Sequence, residues 1–324
     1  MPNAAEPAIS LSSVCTFSSE HHLSSPEQTA FWQQVTQASF KTKDGISLAY
    51  ASVIQQNSKG TIVLSSGRVE SYLKYKELMF DLFQQGYDLF AIDHRGQGLS
   101  SRTTVNPHQG HIDKFQRYVD DFGEFIDKIV KPVPEKNYFL VAHSMGGAIG
   151  TLYLSQQPGV FKAAVLSAPM YGIKLPLPKR FIRKLASLLD NNNSQQPNYI
   201  LGGKGYHAPA FEKNDLTNSK LRYDDYRDLY QKEPKLQLGS PTNRWLVESI
   251  DAGENAIKAA QNINIPLLIL QAEEDTIVSN AAQKRASTGF CKLIKIPYAR
   301  HEIFMERDKA RNTALTALLN FIEA

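Results

Sequence analysis

The segment Tyr138-Phe139-Leu140-Val141-Ala142-His143-Ser144-Met145-Gly146-Gly147-Ala148 decides the fold. Its first five residues have the composition of a buried strand, and a helix is expected over 145–157. Ser144 sits at the junction. A serine hydroxyl is a weak nucleophile that becomes useful when a sharp strand-to-helix turn holds it out beside a base. Such a turn brings strand and helix together, so the residues two before and two after the serine must be small. Here they are Ala142 and Gly146. A plain helix start capped by Ser144 would carry similar residues, but the flanking strand and helix favour the nucleophile turn.

Outward from this point, strands are expected at 46–53, 61–65 and 87–92 before it, and at 165–167, 266–271 and 292–296 after it. Helical spacing of apolar residues marks 75–85, 115–130 and 309–322, with a short helix near 31–35. Strands alternating with helices predict an α/β fold, a mostly parallel sheet with helices on both faces. The stretch 170–241 breaks this rhythm with Pro-rich, Asn-rich and basic runs. It reads as an inserted cap, leaving 26–169 and 242–324 as the core and 1–25 as a flexible N-terminal segment.

Composition narrows the function classes. Apolar residues at 42% and charged residues at 21% are ordinary for a globular chain, and a net charge of +4 spread over 324 residues gives no clustered basic face for nucleic acid. Cys15 and Cys291 stand far apart and form no metal or redox motif, so two unpaired thiols are expected. The start, 1–22, lacks the basic-then-apolar pattern of a secretory signal, and apolar runs such as 265–270 are strand-sized rather than the ~20 residues of a membrane span. Neither a metal nor a cofactor is expected, because no ligand cluster with metal spacing is present.

A nucleophilic serine needs a base, and the base an orienting carboxylate, which in this turn type follow in the order serine, acid, histidine. Two histidines lie beyond Ser144, namely His207 and His301. His207 falls in the expected cap. His301 follows the last strand, on a loop where the base is needed. The acid should follow the preceding strand, where Glu273, Glu274 and Asp275 are all available. The developing oxyanion needs backbone donors, one from Met145 and another from the early loop Ser65-Ser66-Gly67-Arg68.

Together these segments resemble the bacterial lysophospholipases of the PldB type, relatives of the monoacylglycerol lipases within the α/β-hydrolase superfamily. The likeness runs from about Phe31 to the C-terminus. It is carried by Gly67-Arg68-Val69-Glu70-Ser71-Tyr72, Asp93-His94-Arg95-Gly96-Gln97-Gly98-Leu99-Ser100, Ala142 to Gly147, Ala168-Pro169-Met170-Tyr171-Gly172, Gln271 to Asp275 and His301-Glu302. The resemblance implies Ser144 as nucleophile, Asp275 as acid and His301 as base, with the amides of Met145 and Arg68 as the oxyanion hole. Where monoacylglycerol lipases carry His-Gly before the oxyanion amide, this chain has Ser66-Gly67; a backbone donor tolerates that change. His94 reads as structural.

The resemblance also implies the substrate: the acyl ester of a lysophospholipid, cleaved to a fatty acid and a glycerophosphodiester. The alternatives are a monoacylglycerol lipase or general carboxylesterase with the same triad, or a lipid-binding protein that kept the fold without catalysis. Between 174 and 184 lie Lys174, Lys179, Arg180, Arg183 and Lys184 with no acidic residue, while Phe181, Ile182, Leu185, Leu188 and Leu189 share a helical face. Such a helix suits peripheral contact with an anionic membrane or an acyl chain, and equally plain packing. Relatives of this kind work on the cytoplasmic face of the bacterial inner membrane, which is the location the resemblance implies.

Overall fold

The computed structural model describes residues 16–133 and 137–324. In chain order the elements are α1 (Pro26–Trp32), β1 (Thr36–Lys41), β2 (Ser47–Val53), β3 (Thr61–Ser65), α2 (Lys76–Gln84), β4 (Asp88–Ile92) and α3 (Gln116–Phe125). They continue with β5 (Tyr138–His143), α4 (Met145–Gln156), β6 (Ala163–Ser167), α5 (Lys179–Leu189), α6 (Lys220–Lys232) and α7 (Asn243–Ala260). The chain closes with β7 (Leu267–Ala272), α8 (Asn280–Ala286), β8 (Cys291–Ile296) and α9 (Asp308–Ile322).

The strands form one sheet in the order β1-β2-β4-β3-β5-β6-β7-β8. β2 runs antiparallel to both of its neighbours, and every pair from β4 to β8 is parallel. Strands β3 to β7 are buried apart from Tyr138 at the start of β5, which is why each reads as a run of apolar residues. From β3 the chain steps one way to β4, then turns back across β3 to β5 and onward to β8. Right-handed crossovers therefore put α2 on one face and α3, α4, α7 and α8 on the other. Packing follows this division: α4 lies against α3 and α7, and α7 against α8. On the other face, Arg311 of α9 pairs with Asp81 of α2 at 2.7 Å. The reversal opens a crevice between the C-terminal ends of β3 and β5, the place where open α/β sheets bind ligands.

Of the N-terminal segment expected to be flexible, the described residues 16–25 are tied to the core. Ser18 N–H and Oγ donate to Asp81, Ser19 Oγ donates to Asp308 at 2.6 Å, and Glu20 accepts from Ser219 Oγ at 2.5 Å. Buried or half-buried carboxylates on α2 and α9 thus take their donors from this strap; Cys15 lies outside the described residues. The helix expected at 31–35 begins earlier, with Ser25 capping Gln28 N–H and Pro26 in the first turn. Cys291 is a buried free thiol, pushed up to about 12 by burial.

The stretch 170–241 contributes no sheet strand and carries α5 and α6. Ile182 of α5 packs with Leu246, Val247 and Ile250 of α7, whereas Phe181 and Leu188 are 54% and 73% exposed. The apolar stripe thus divides between packing and solvent. Its basic residues divide too: Lys179 pairs with Glu254, Arg183 pairs with Asp251 at 2.6 Å, and Lys174 Nζ donates to the Asp275 carbonyl. Arg180 and Lys184 are exposed.

Candidate active site

β5 ends at His143, and Ser144 takes φ 50° and ψ −113° before α4 begins at Met145. An L-residue reaches this region only at a cost of about 1–3 kcal/mol, so the surroundings must enforce it. They do. Ser144 N–H donates to Ser167 O at 3.0 Å, and its carbonyl accepts from Met170 N–H at 2.9 Å. A methyl group on Gly146 would lie 2.6 Å from Ser66 O and closer still to Ser65 O, so only glycine lets α4 press against the end of β3. Ala142 is buried in the core, and its methyl group fits.

The Ser144 hydroxyl lies 2.9 Å from His301 Nε2, and His301 Nδ1 lies 2.8 Å from Asp275 Oδ2. Asp275 follows β7 and His301 follows β8, so three parallel strands deliver the three groups to one edge of the sheet. The other Asp275 oxygen accepts from Ile277 N–H at 2.8 Å and Val278 N–H at 2.9 Å. Burial opposes its charge, but the His301 hydrogen bond and these amides outweigh that and hold the carboxyl below its usual range. Of the other two carboxylates in that loop, Glu273 pairs with Lys295 at 2.8 Å and Glu274 accepts from Asn218 at 3.2 Å, both at the surface. His207 is exposed on the cavity wall. His94 is buried against Ser65 Oγ at 3.0 Å, and burial lowers it to about 3, a neutral structural imidazole.

Met145 is the first residue of α4, where backbone N–H groups have no acceptor within the helix. The second expected donor, Arg68 N–H, sits on a loop whose preceding residue is clamped. Gly67 N–H donates to Glu70 Oε2 at 2.5 Å, and Gly67 O accepts from Gln97 at 2.7 Å. A methyl group on Gly67 would come within 2.8 Å of His143 Nδ1. This glycine is therefore required by close approach.

Beneath the triad lies a charge cluster that the sequence reading missed. Glu70 accepts from His143 Nδ1 at 2.9 Å, from Tyr75 OH at 2.5 Å and from Lys74 at 3.2 Å. Lys74 also binds Glu302 at 2.5 Å. The other His143 nitrogen lies 3.2 Å from the His301 carbonyl, so both ring nitrogens face acceptors, the arrangement an imidazolium satisfies. Burial works against that charge, but Glu70 overrides it and raises His143 above the ordinary imidazole value. Burial likewise opposes the Glu70 carboxylate, which His143 and Lys74 hold well below its usual range. The cluster ties the Gly67 loop to the backbone of His301. Its one sequence signal was the Glu70/Lys74 spacing of four.

These groups open into a cavity of about 520 Å³ that mixes apolar walls, including Met170, Ile173 and Val278, with charged ones. Among the described residues no His, Cys, Asp and Glu side chains converge as a metal-binding group. No helix among them is long and apolar enough to cross a membrane.

The family described as "Hydrolase_4: Serine aminopeptidase, S33" matches residues 56–308. The chain belongs to this family. It is 38% identical over 306 residues to "Lysophospholipase L2" of Escherichia coli, covering 90% of this chain and 89% of that one. It is 36% identical over 308 residues to "Probable lysophospholipase L2" of Haemophilus influenzae, covering 93% and 96%. Among solved structures, a soluble variant of monoglyceride lipase from Saccharomyces cerevisiae, in complex with a substrate analogue, superposes with a TM-score of 0.70. At 21% identity over 89% of this chain and 94% of that one, this likeness speaks to the fold, which is that of the α/β-hydrolases.

Proposed function

We propose that the chain is a serine esterase that removes the acyl chain of a lysophospholipid through a Ser144 acyl-enzyme. The observation that carries this reading is the continuous contact from Ser144 Oγ through His301 to Asp275, at 2.9 Å and 2.8 Å, at the floor of a cavity lined by apolar side chains and cations. The similarity to lysophospholipases L2 over 90% or more of this chain supports the substrate class.

His301 Nε2 takes the Ser144 proton as Oγ attacks the acyl carbonyl. The imidazolium that forms is balanced by Asp275, whose charge the Ile277 and Val278 amides hold in place. The oxyanion is received by the N–H groups of Met145 and Arg68, dipoles already oriented before the charge develops. His301 then protonates the departing glycerophosphodiester oxygen. Water, activated by the same histidine, releases the fatty acid.

Peripheral membrane contact is the second part of the proposal. Phe181 and Leu188 stand exposed on α5 beside Arg180 and Lys184, an apolar ridge with positive flanks suited to an anionic lipid surface. The test of function is fatty-acid release from lysophosphatidylethanolamine and from monoacylglycerol of the same chain length. Preference for the lysophospholipid is expected. A strong preference for the neutral ester would overturn the reading in favour of a monoacylglycerol lipase.

A further inference from the structure

The cavity carries more positive charge than its acids balance. Its two carboxylates, Glu70 and Glu302, are both engaged by Lys74, and Glu70 also by His143. Arg68, Lys204 and Arg227 line the same cavity, and among the described residues none of the three pairs with a carboxylate. We propose that these three side chains form a subsite for the phosphate of the substrate headgroup. This rests on the lysophospholipase reading above.

Identifiable contacts link the segments that carry them. Arg68 Nη2 donates to Gly239 O at 2.5 Å, and its guanidinium lies 5.1 Å from the Trp245 ring centre. Gly239 packs backbone-to-backbone on Lys204 and Gly205: a methyl group there would fall 2.6 Å from Lys204 O. Ser240 N–H donates to Lys204 O at 2.8 Å, which fixes that turn. Two residues on, Tyr206 accepts from Arg227 Nη1 at 3.4 Å. The Arg227 guanidinium is stacked 4.9 Å from the Tyr223 ring and 4.8 Å from the Tyr226 ring. A chain of contacts through Gly239, the Lys204 carbonyl, and Tyr206 two residues further on thus links these cavity-lining residues from Arg68 to Arg227.

Two of these cations are held short of satisfaction. The Nε atoms of Arg68 and Arg227 are both buried without a partner. Burial lowers Arg68 to about 10, the response of a guanidinium that has lost water and gained no anion. A neutral ester would leave that cost in place. A phosphodiester offers several acceptor oxygens and a negative charge, and a rigid guanidinium fork matches it where an ammonium adds only a point charge. The position is also apt. The backbone N–H of Arg68 is the proposed oxyanion donor, so its side chain starts beside the scissile carbonyl.

The test compares kcat/KM for lysophosphatidylethanolamine with that for monoacylglycerol of the same acyl chain, in wild type, Lys204→Gln, Arg227→Gln and the double variant. The lysophospholipid-to-monoacylglycerol ratio should fall about tenfold in Arg227→Gln and further in the double variant, and Arg227→Lys should recover part of it. Parallel losses on both substrates, with the ratio within twofold of wild type, would make these residues packing elements and overturn the proposal. Wild type that turns over only monoacylglycerol would refute the lysophospholipase reading itself, and the inhibition arm would still test the subsite. There, glycerophosphoethanolamine should inhibit monoacylglycerol hydrolysis competitively, and less so in Arg227→Gln. Equal or stronger inhibition by inorganic phosphate would overturn the headgroup assignment.

Discussion

Gly146→Ala is the sharpest perturbation of the site, because its cost comes from backbone rather than from a side chain that can turn away. The added methyl group would sit 2.6 Å from Ser66 O and from the Ser65 carbonyl carbon. Carbon atoms pack best at about 3.5–4.0 Å, so α4 and the end of β3 must part by roughly 1 Å. Overpacking of this kind costs about 1–3 kcal/mol, which a domain with roughly 5–15 kcal/mol of stability survives. The same movement carries Met145 N–H and Ser144 away from the Gly67–Arg68 loop, and a misplacement of about 1 Å at a reacting centre can cost 100-fold in rate. Folded protein with kcat reduced about 100-fold is therefore expected. The assay is hydrolysis of a short-chain ester beside thermal unfolding. Gly123→Ala is the matched control: its methyl group meets Tyr153 at an ordinary 3.4 Å, and an α3 position gains helix propensity of about 0.5–1 kcal/mol. Normal activity in Gly146→Ala would show that the close approach of β3 and α4 does not set the geometry of catalysis.

Further outcomes are expected elsewhere. In Asp275→Asn the Ile277 and Val278 amides should hold the amide oxygen, turning its NH2 toward His301 Nδ1 and forcing the wrong tautomer; kcat should fall about 10⁴-fold with the fold intact, and a loss under tenfold would contradict it. Glu70→Gln breaks a buried ion cluster and should destabilise by about 3 kcal/mol in urea unfolding. The lowered Glu70 carboxyl contributes stability above about pH 4.3 that is lost as pH falls through its folded value, while the raised His143 contributes below about pH 6.5 and loses it as pH rises through its folded value. The stability gap between wild type and Glu70→Gln should thus be widest between those limits and narrow on either side, and a gap independent of pH would refute the charged pairing. Phe181→Glu with Leu188→Glu should lower sedimentation with anionic phosphatidylglycerol vesicles several-fold, leaving thermal stability unchanged, because both side chains are exposed. Unaltered binding would remove α5 from the membrane contact.

The sequence carried the sheet well where strands are buried on both faces. β3 to β7 each carry an apolar run through their middle and were legible within two or three residues, and β8, an edge strand, within one. β1 escaped because Thr36–Lys41 is a largely exposed edge strand whose residues carry no apolar run. α7 escaped too, since its eighteen residues mix an apolar face with many polar ones in a region expected only to join cap to sheet. The Ser144 and His301 positions were readable because each follows a strand in chain order, whereas strand order left Glu273, Glu274 and Asp275 open and the resemblance singled out Asp275. Nothing local announced the far partners of Glu70 and Lys74, since His143 joins Glu70 and Glu302 joins Lys74 only when β5 and the loop after β8 come together. The same is true of Arg68, Lys204 and Arg227, which three distant segments bring to one cavity.

The proposed reaction turns on an acyl-enzyme at Ser144. Rapid-quench mass spectrometry of the enzyme mixed with a lysophospholipid measures it directly. A fatty-acyl adduct on the peptide containing Ser144 should form before steady-state release and be absent in Ser144→Ala, together with loss of fatty-acid release in that variant. Full hydrolysis by Ser144→Ala, or an adduct mapped to another residue, would contradict it.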